Sequence, residues 1–102
     1  MSLSPEKTRA LQENEKLQKP SLYNVFYLND DYTPFDFVIQ TLVENFNKSC
    51  EEAAQLAEAG HEKGKFCAGT FTFEIAETKA AMIMYFAKEN GFPLKLVLEK
   101  NN

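Results

Sequence analysis

The chain reads as an α+β domain in which a three-stranded antiparallel sheet packs against three helices in the order β-α-α-β-α-β. Three observations predict this. Two apolar runs, "LYNVFYL" and "KFCAGTFTF", are rich in aromatic and β-branched residues. A third, after Pro93, alternates inward and outward positions as a half-buried strand does. Between them lie three stretches whose apolar residues recur at helical spacing, so strands and helices can share one core.

The first strand runs from Leu22 to Leu28, with Tyr23, Val25 and Tyr27 on one face and Leu22, Phe26 and Leu28 on the other. Both faces are expected to be at least partly covered. Thr33 is the expected N-cap of the first helix, with Pro34 at the first helical position and Asp36 where a capping-box acid would sit. Phe35, Val38, Ile39, Leu42 and Phe46 then form one stripe. A second helix opens at a Ser49/Glu52 capping box, carries the small face Ala53, Leu56, Ala57 and Gly60, and stops around "GHEKGK". Residues 65–73 form the second strand, where Gly69 marks a bulge or a close backbone approach. In "EIAETKAAMIMYFAKEN" the inward positions are Ile75, Ala76, Lys79 or Ala80, Ile83, and Phe86 or Ala87, and Gly91 closes the helix beyond Asn90. Leu94, Leu96 and Leu98 alternate with Lys95, Val97 and Glu99 in the last strand.

A length of 102 residues fits one domain and one core. Residues 1–20 hold isolated Leu3, Leu11 and Leu17 among charges that nearly cancel, which predicts a mobile arm ahead of a domain spanning 21–102. That stretch lacks the apolar core of a signal peptide, and nowhere do roughly 18 apolar residues run together, so neither export nor a membrane partner is expected. The net charge of -4 argues against a nucleic-acid binder, which normally shows a basic face, and favours a cationic partner. Cys50 and Cys67 sit at no metal or disulfide spacing and read as reduced, part-buried thiols of a cytoplasmic protein. With His61 as the one histidine, a multi-histidine metal site is excluded. No nucleophile elbow and no Gly-rich phosphate loop is present, so the chain is read as a non-enzyme without a cofactor.

Asn29-Asp30-Asp31 puts two adjacent carboxylates between the first strand and the first helix, more than a turn requires. Taken singly, these residues read as a turn with helix-start acids, and His61 as a residue placed against a helix C-terminus. Combined with the apolar set Phe35, Val38, Ala57 and Gly60, they point to a binding site.

The residues also carry a resemblance. "LNDDYTPFDFV", His61 followed by Gly64-Lys65, "AETKAAM" at 76–82, and "FPL" with "EK" near the C-terminus together resemble ClpS, the family of bacterial adaptors that deliver N-degron substrates to the ClpAP protease. The resemblance spans roughly residues 20–101 without a gap. It implies that Asn29, Asp30 and His61 hold the free α-amino group of a substrate. An α-ammonium has three N–H donors and a charge, and suits an amide oxygen, a carboxylate and an unprotonated imidazole nitrogen, whereas an internal residue offers one neutral N–H. It further implies a pocket for the first side chain built from Phe35, Val38, Ala57, Gly60 and Leu94, with Asp31 and Thr33 at its rim.

On the protease side, the resemblance implies that Glu74 and Lys79 contact the N-terminal domain of a ClpA-type AAA+ unfoldase and that the arm takes part in handover. The chain departs from the common ClpS pattern, which has Met at the positions of Phe35 and Ala57 and Val at that of Gly60, and its cysteine in "KFCAG" stands one residue early. Ala57 and Gly60 are expected to remove walls near the bound Cβ and to favour Ile- and Val-starting ligands relative to Leu, with Phe35 filling part of the space. The alternative reading is a structural or assembly domain of the same fold that docks a partner without recognising an N-terminal residue. Asn29, Asp30 and His61 occurring together favour the adaptor.

Overall fold

Alternation along β1 (Leu22–Leu28) turns Val25 and Tyr27 into the core, where both are buried. The structure, a computed structural model, describes residues 20–101, so the predicted arm lies outside the described residues except for Pro20. β1 is the central strand. It pairs antiparallel with β2 (Lys65–Thr72) on one side and β3 (Lys95–Asn101) on the other, giving the order β2-β1-β3. Three helices complete the domain: α1 (Phe35–Phe46), α2 (Cys50–Lys63) and α3 (Phe73–Glu89). α3 crosses all three strands, while α2 packs along β2 and against α1. The predicted element order is the observed one.

On the outer face of the sheet one long side chain covers an aromatic ring. Lys65 lays its ammonium 4.4 Å from the centre of the Phe26 ring and is held there by Glu99 at 2.8 Å. On β2, Val25 pairs with Gly69 and Phe26 with Cys67, which leaves Ala68 as an extra residue in a β-bulge. A Cβ at Gly69 would lie 2.9 Å from the Phe71 ring, so bulge and close approach, the two expectations for this glycine, occur together. β2 ends one residue earlier than predicted, because Phe73 already belongs to α3.

α1 departs from its predicted start. Its N-cap is Pro34, in extended conformation and without a side-chain cap bond, since the Thr33 hydroxyl is turned to Asp30 instead. Asp36 is an exposed first-turn acid and closes no capping box. The buried stripe is Phe37, Thr41, Leu42 and Phe46, whereas the predicted stripe had begun at Phe35, which is 44% exposed. Two ring contacts draw that face inward: Phe37 stands 5.3 Å from Phe86 and 4.9 Å from Phe92.

α2 begins as predicted, with Ser49 accepting from the Glu52 N–H and the Glu52 carboxylate accepting from the Ser49 N–H. Cys50, expected to be part-buried, is exposed at its first position, because the first turn faces away from the core. Gly64 ends the helix at φ 93, its N–H bonded to the Gly60 carbonyl at 2.8 Å, and β2 starts at the next residue. In α3 the inward residues are Ala76, Ala80, Ile83 and Ala87. Ile75 and Phe86, both considered inward from spacing, are 50% and 41% exposed, because the inward face is narrow enough for alanine to meet the sheet. Gly91, at φ 79, turns the chain so that the Phe92 N–H reaches the Ala87 carbonyl at 2.8 Å.

One polar pair sits in the core. The Thr41 hydroxyl donates to the Val38 carbonyl at 2.8 Å, so at 2.9 Å from the Tyr27 oxygen it receives the phenol proton. Burial raises the Tyr27 phenol above its ordinary value while the Thr41 hydroxyl pulls the other way, and the ring stays a neutral donor. Thr41→Val is therefore expected to leave a buried hydroxyl without a partner and to lower unfolding free energy by about 1 to 3 kcal/mol in urea titration. Gly64→Ala forces a Cβ into the left-handed region and is expected to cost about 1 to 2 kcal/mol in the same assay.

Candidate functional site

The loop after β1 is wound around one carboxylate. Asp30 Oδ1 accepts from the backbone N–H groups of Tyr32 at 2.8 Å and Thr33 at 2.6 Å, and Oδ2 accepts from the Thr33 hydroxyl at 2.8 Å. This is an Asx-type turn, in which a side chain replaces a missing backbone acceptor. Burial alone would raise the Asp30 carboxyl, but the Thr33 and Tyr32 N–H groups and the Thr33 hydroxyl outweigh it and hold the carboxyl below its ordinary value. A carboxylate can accept about four hydrogen bonds, so three internal donors leave capacity for another. The loop is anchored to the end of α2 by the Asn29 N–H, which donates to the Gly64 carbonyl at 2.8 Å. Because Gly64 bonds in turn to Gly60, the start of the loop and the last turn of α2 are fixed to each other.

That link brings the ten sequence-predicted pocket residues around one cleft of about 240 Å³. The loop supplies Asn29 and Asp31, both exposed, with Asp30 and Thr33 half-buried. α1 supplies Phe35 at the mouth and half-buried Val38. α2 supplies buried Ala57 and Gly60 and exposed His61, and the segment before β3 supplies buried Leu94. The polar lining residues Asn29, Asp30, Asp31, Thr33 and His61 are exposed or half-buried, which places them at the mouth, while Ala57, Gly60 and Leu94 are buried inside. It contains neither serine nor cysteine as a nucleophile. Among the described residues, no cluster of three His, Cys, Asp or Glu side chains could hold a metal.

Tyr27, Leu28 and Phe66 also line the cleft and were not foreseen. The missing signal was register. Phe66 pairs with Tyr27 across the β1–β2 ladder, so its side chain shares the face of Tyr27, and the two rings stack with centroids 4.8 Å apart and planes 21° apart. Parity along "KFCAGTF" fixes alternation but not which face looks at the site. Phe66 also revises the expectation for Gly60. A Cβ built on Gly60 would overlap the edge of the Phe66 ring, so the missing side chain leaves no open space there.

Glu74 and Lys79 lie elsewhere, on a depression of about 430 Å³ lined also by Asn45, Ile75, Thr78 and Met82. Glu74 is exposed. Lys79 is engaged within the protein: its ammonium donates to the Asn45 carbonyl at 2.6 Å, in the last turn of α1, and lies 5.6 Å and 5.3 Å from the Phe46 and Phe71 ring centres.

Comparison with known proteins agrees with the fold. The profile of the family described as ATP-dependent Clp protease adaptor protein ClpS matches residues 18–97. The ClpS protein of Escherichia coli O1:K1 / APEC is 47% identical over 98 residues, covering 96% of this chain and 88% of that protein. The ClpS protein of Rhodospirillum centenum (strain ATCC 51521 / SW) is 46% identical over 86 residues, covering 84% and 80%. Among solved structures, Agrobacterium tumefaciens ClpS2 bound to L-phenylalaninamide superposes with a TM-score of 0.79 at 37% identity, covering 81% of this chain and all of that one. With a family profile and relatives that extend over most of its length, the chain belongs to the ClpS family of ATP-dependent Clp protease adaptor proteins.

Proposed function

We propose that this chain is a non-enzymatic adaptor that takes a protein by its free α-amino group and first side chain and presents it to a ClpA-type AAA+ unfoldase. The observation that carries this reading is the junction of a polar mouth, Asn29, Asp30 and His61, with an apolar cleft of about 240 Å³. Pockets for drug-sized ligands run from about 300 to 1,000 Å³, so this one suits a single side chain. An α-ammonium at the mouth meets acceptors and the negative charges of Asp30 and Asp31, and the side chain on the adjoining α-carbon enters the cleft. Agrobacterium tumefaciens ClpS2 binds a ligand of this chemistry, an amino-acid amide with a free amino group.

For the unfoldase we propose the α3 face around Glu74. Ile75 and Met82, 50% and 57% exposed, supply apolar contact there, and the face shares no lining residue with the cleft, so both partners can bind at once. Lys79, already bonded to Asn45, contributes chiefly by shaping this surface. The arm of residues 1–20, whose polar composition suits engagement by an unfoldase, is proposed to act in handover. Two free thiols among the described residues suit work in the reducing cytoplasm.

The direct test compares a Phe-starting peptide with its N-acetylated form by calorimetry. The free form is expected to bind and the acetylated form to fail, and equal binding would instead favour a docking domain without N-terminal recognition. Asp30→Asn keeps an oxygen for the Tyr32 and Thr33 donors while removing the charge, and His61→Ala removes an acceptor. Each is expected to weaken the free peptide by about 1.5 to 3 kcal/mol, roughly tenfold to a hundredfold, without lowering the melting temperature by more than a few degrees.

Acid acts on the ligand and on the loop in separate ranges. The ligand's amine, with an ordinary pKa of about 7.7 to 8.0, becomes more charged as pH falls and would bind better. Asp30 sits below its ordinary 3.8, so the turn it stabilises is complete above that value and is lost only as pH falls through the lower folded value. The loop is therefore intact at pH 5. Affinity is not expected to fall through the Asp30 loop between about pH 7 and about pH 5, and calorimetry is expected to show that loss only below the ordinary carboxyl value of 3.8. A loss of affinity above about pH 5 that is absent in Asp30→Asn would contradict this role of the loop.

A further inference from the structure

We propose that Phe66 is the residue that sets which first side chain the cleft takes, and that its ring, standing where Gly60 has no side chain, favours aromatic first residues. This rests on the adaptor reading and specifies its substrate class. Gly60 is buried one residue before His61, and a Cβ on it would overlap the near edge of the Phe66 ring and lie 3.1 Å from Cε1. The ring approaches the α2 backbone because residue 60 is glycine. It is also fixed from behind. Tyr27, on which it stacks, is buried, bonded to Thr41, and held edge-on by Phe46 at 6.0 Å. Phe66 cannot turn away without giving up the stack.

A fixed ring makes a flat wall rather than a hole. The other interior residues, Val38, Ala57 and Leu94, are aliphatic and, at Ala57, short. Ala57 thus gives the breadth an aromatic side chain needs, and Phe66 gives the surface it prefers, in offset or edge-to-face contact. A β-branched side chain carries two γ groups with little freedom at χ1 and gains nothing from that surface. The resulting order is Phe or Tyr ahead of Leu, with Ile and Val last, the reverse of what an open space at Gly60 would give. Phe35, 44% exposed at the mouth, does not fill the position beside Gly60.

The test uses peptides identical except for a first Phe, Leu or Val, each with a free or acetylated terminus. They are titrated against wild type, Phe66→Leu, Gly60→Val, and the double variant Gly60→Val/Phe66→Ala. Wild type is expected to prefer Phe to Leu, and both Phe66 variants to lose roughly threefold to tenfold of that preference, the range an aromatic pair supplies, while still discriminating free from acetylated termini. Gly60→Val alone must displace the ring, so it is expected to lose the same preference and melt lower, and Phe66→Ala in the double variant to recover the melting temperature. If Phe66→Leu does not fold, the double variant carries the same comparison. An unchanged Phe-to-Leu ratio in variants that still demand a free terminus overturns the assignment to Phe66 alone. A wild type indifferent to acetylation overturns the adaptor reading, and this inference with it.

Discussion

The left-handed turn at Gly64 is the constraint on which the rest of the structure depends. α2 must stop and β2 must start within one residue, and only a residue at φ 93 lets its own N–H return to Gly60 while its carbonyl meets Asn29. Three features of the cleft follow from that single residue. His61 falls in the last turn of α2, the loop carrying Asp30 is tied to that turn, and Phe66 emerges on the inner face of β2 opposite Tyr27. A longer connection would free each of them from the others.

The cleft persists because its walls are supported on their far sides. Buried alanines, Ala53, Ala68, Ala76, Ala80 and Ala87, let helices and strands approach closely. Large rings fill the spaces that remain: Tyr27 against Phe66 and Phe46, Phe46 against Phe71, and Phe37 against Phe86 and Phe92. Of the lining residues, Tyr27 and Phe66 could not collapse inward without leaving one of these contacts. The mouth is equally preset, since the Asp30 carboxylate holds three internal donors before any ligand arrives. Binding then costs little reorganisation, which matters when one amino group and one side chain must supply the affinity.

Much of this was legible in the sequence, for reasons that differ by element. The capping box at Ser49 and the turn at Gly91 are local devices whose chemistry is complete within a few residues, and they stand where the sequence places them, while the stop read only as around "GHEKGK" falls at Gly64. The alternation in β1 likewise needs no partner to be read. Thr33 was misread because a threonine before Pro34 looks like a cap, and only the folded loop reveals a stronger claim on its hydroxyl by Asp30. The stripe of α1 shifted because spacing locates a face without saying which neighbours draw it in. Phe66 was invisible as a site residue because its role depends on β1–β2 register across a bulge, a long-range fact absent from "KFCAGTF" taken alone. Gly60 looked like empty space for the same reason.

In the proposed function a free α-ammonium sits between the Asp30 loop and the last turn of α2, with its side chain against Phe66. Amide chemical-shift mapping of the isotope-labelled protein during titration with a Phe-starting peptide tests it most directly. Shifts are expected to concentrate at residues 29–33 and 57–66 and at Leu94, and to be absent with the N-acetylated peptide. Shifts centred on Ile75 and Met82 of α3, or the same pattern from the acetylated peptide, would contradict it.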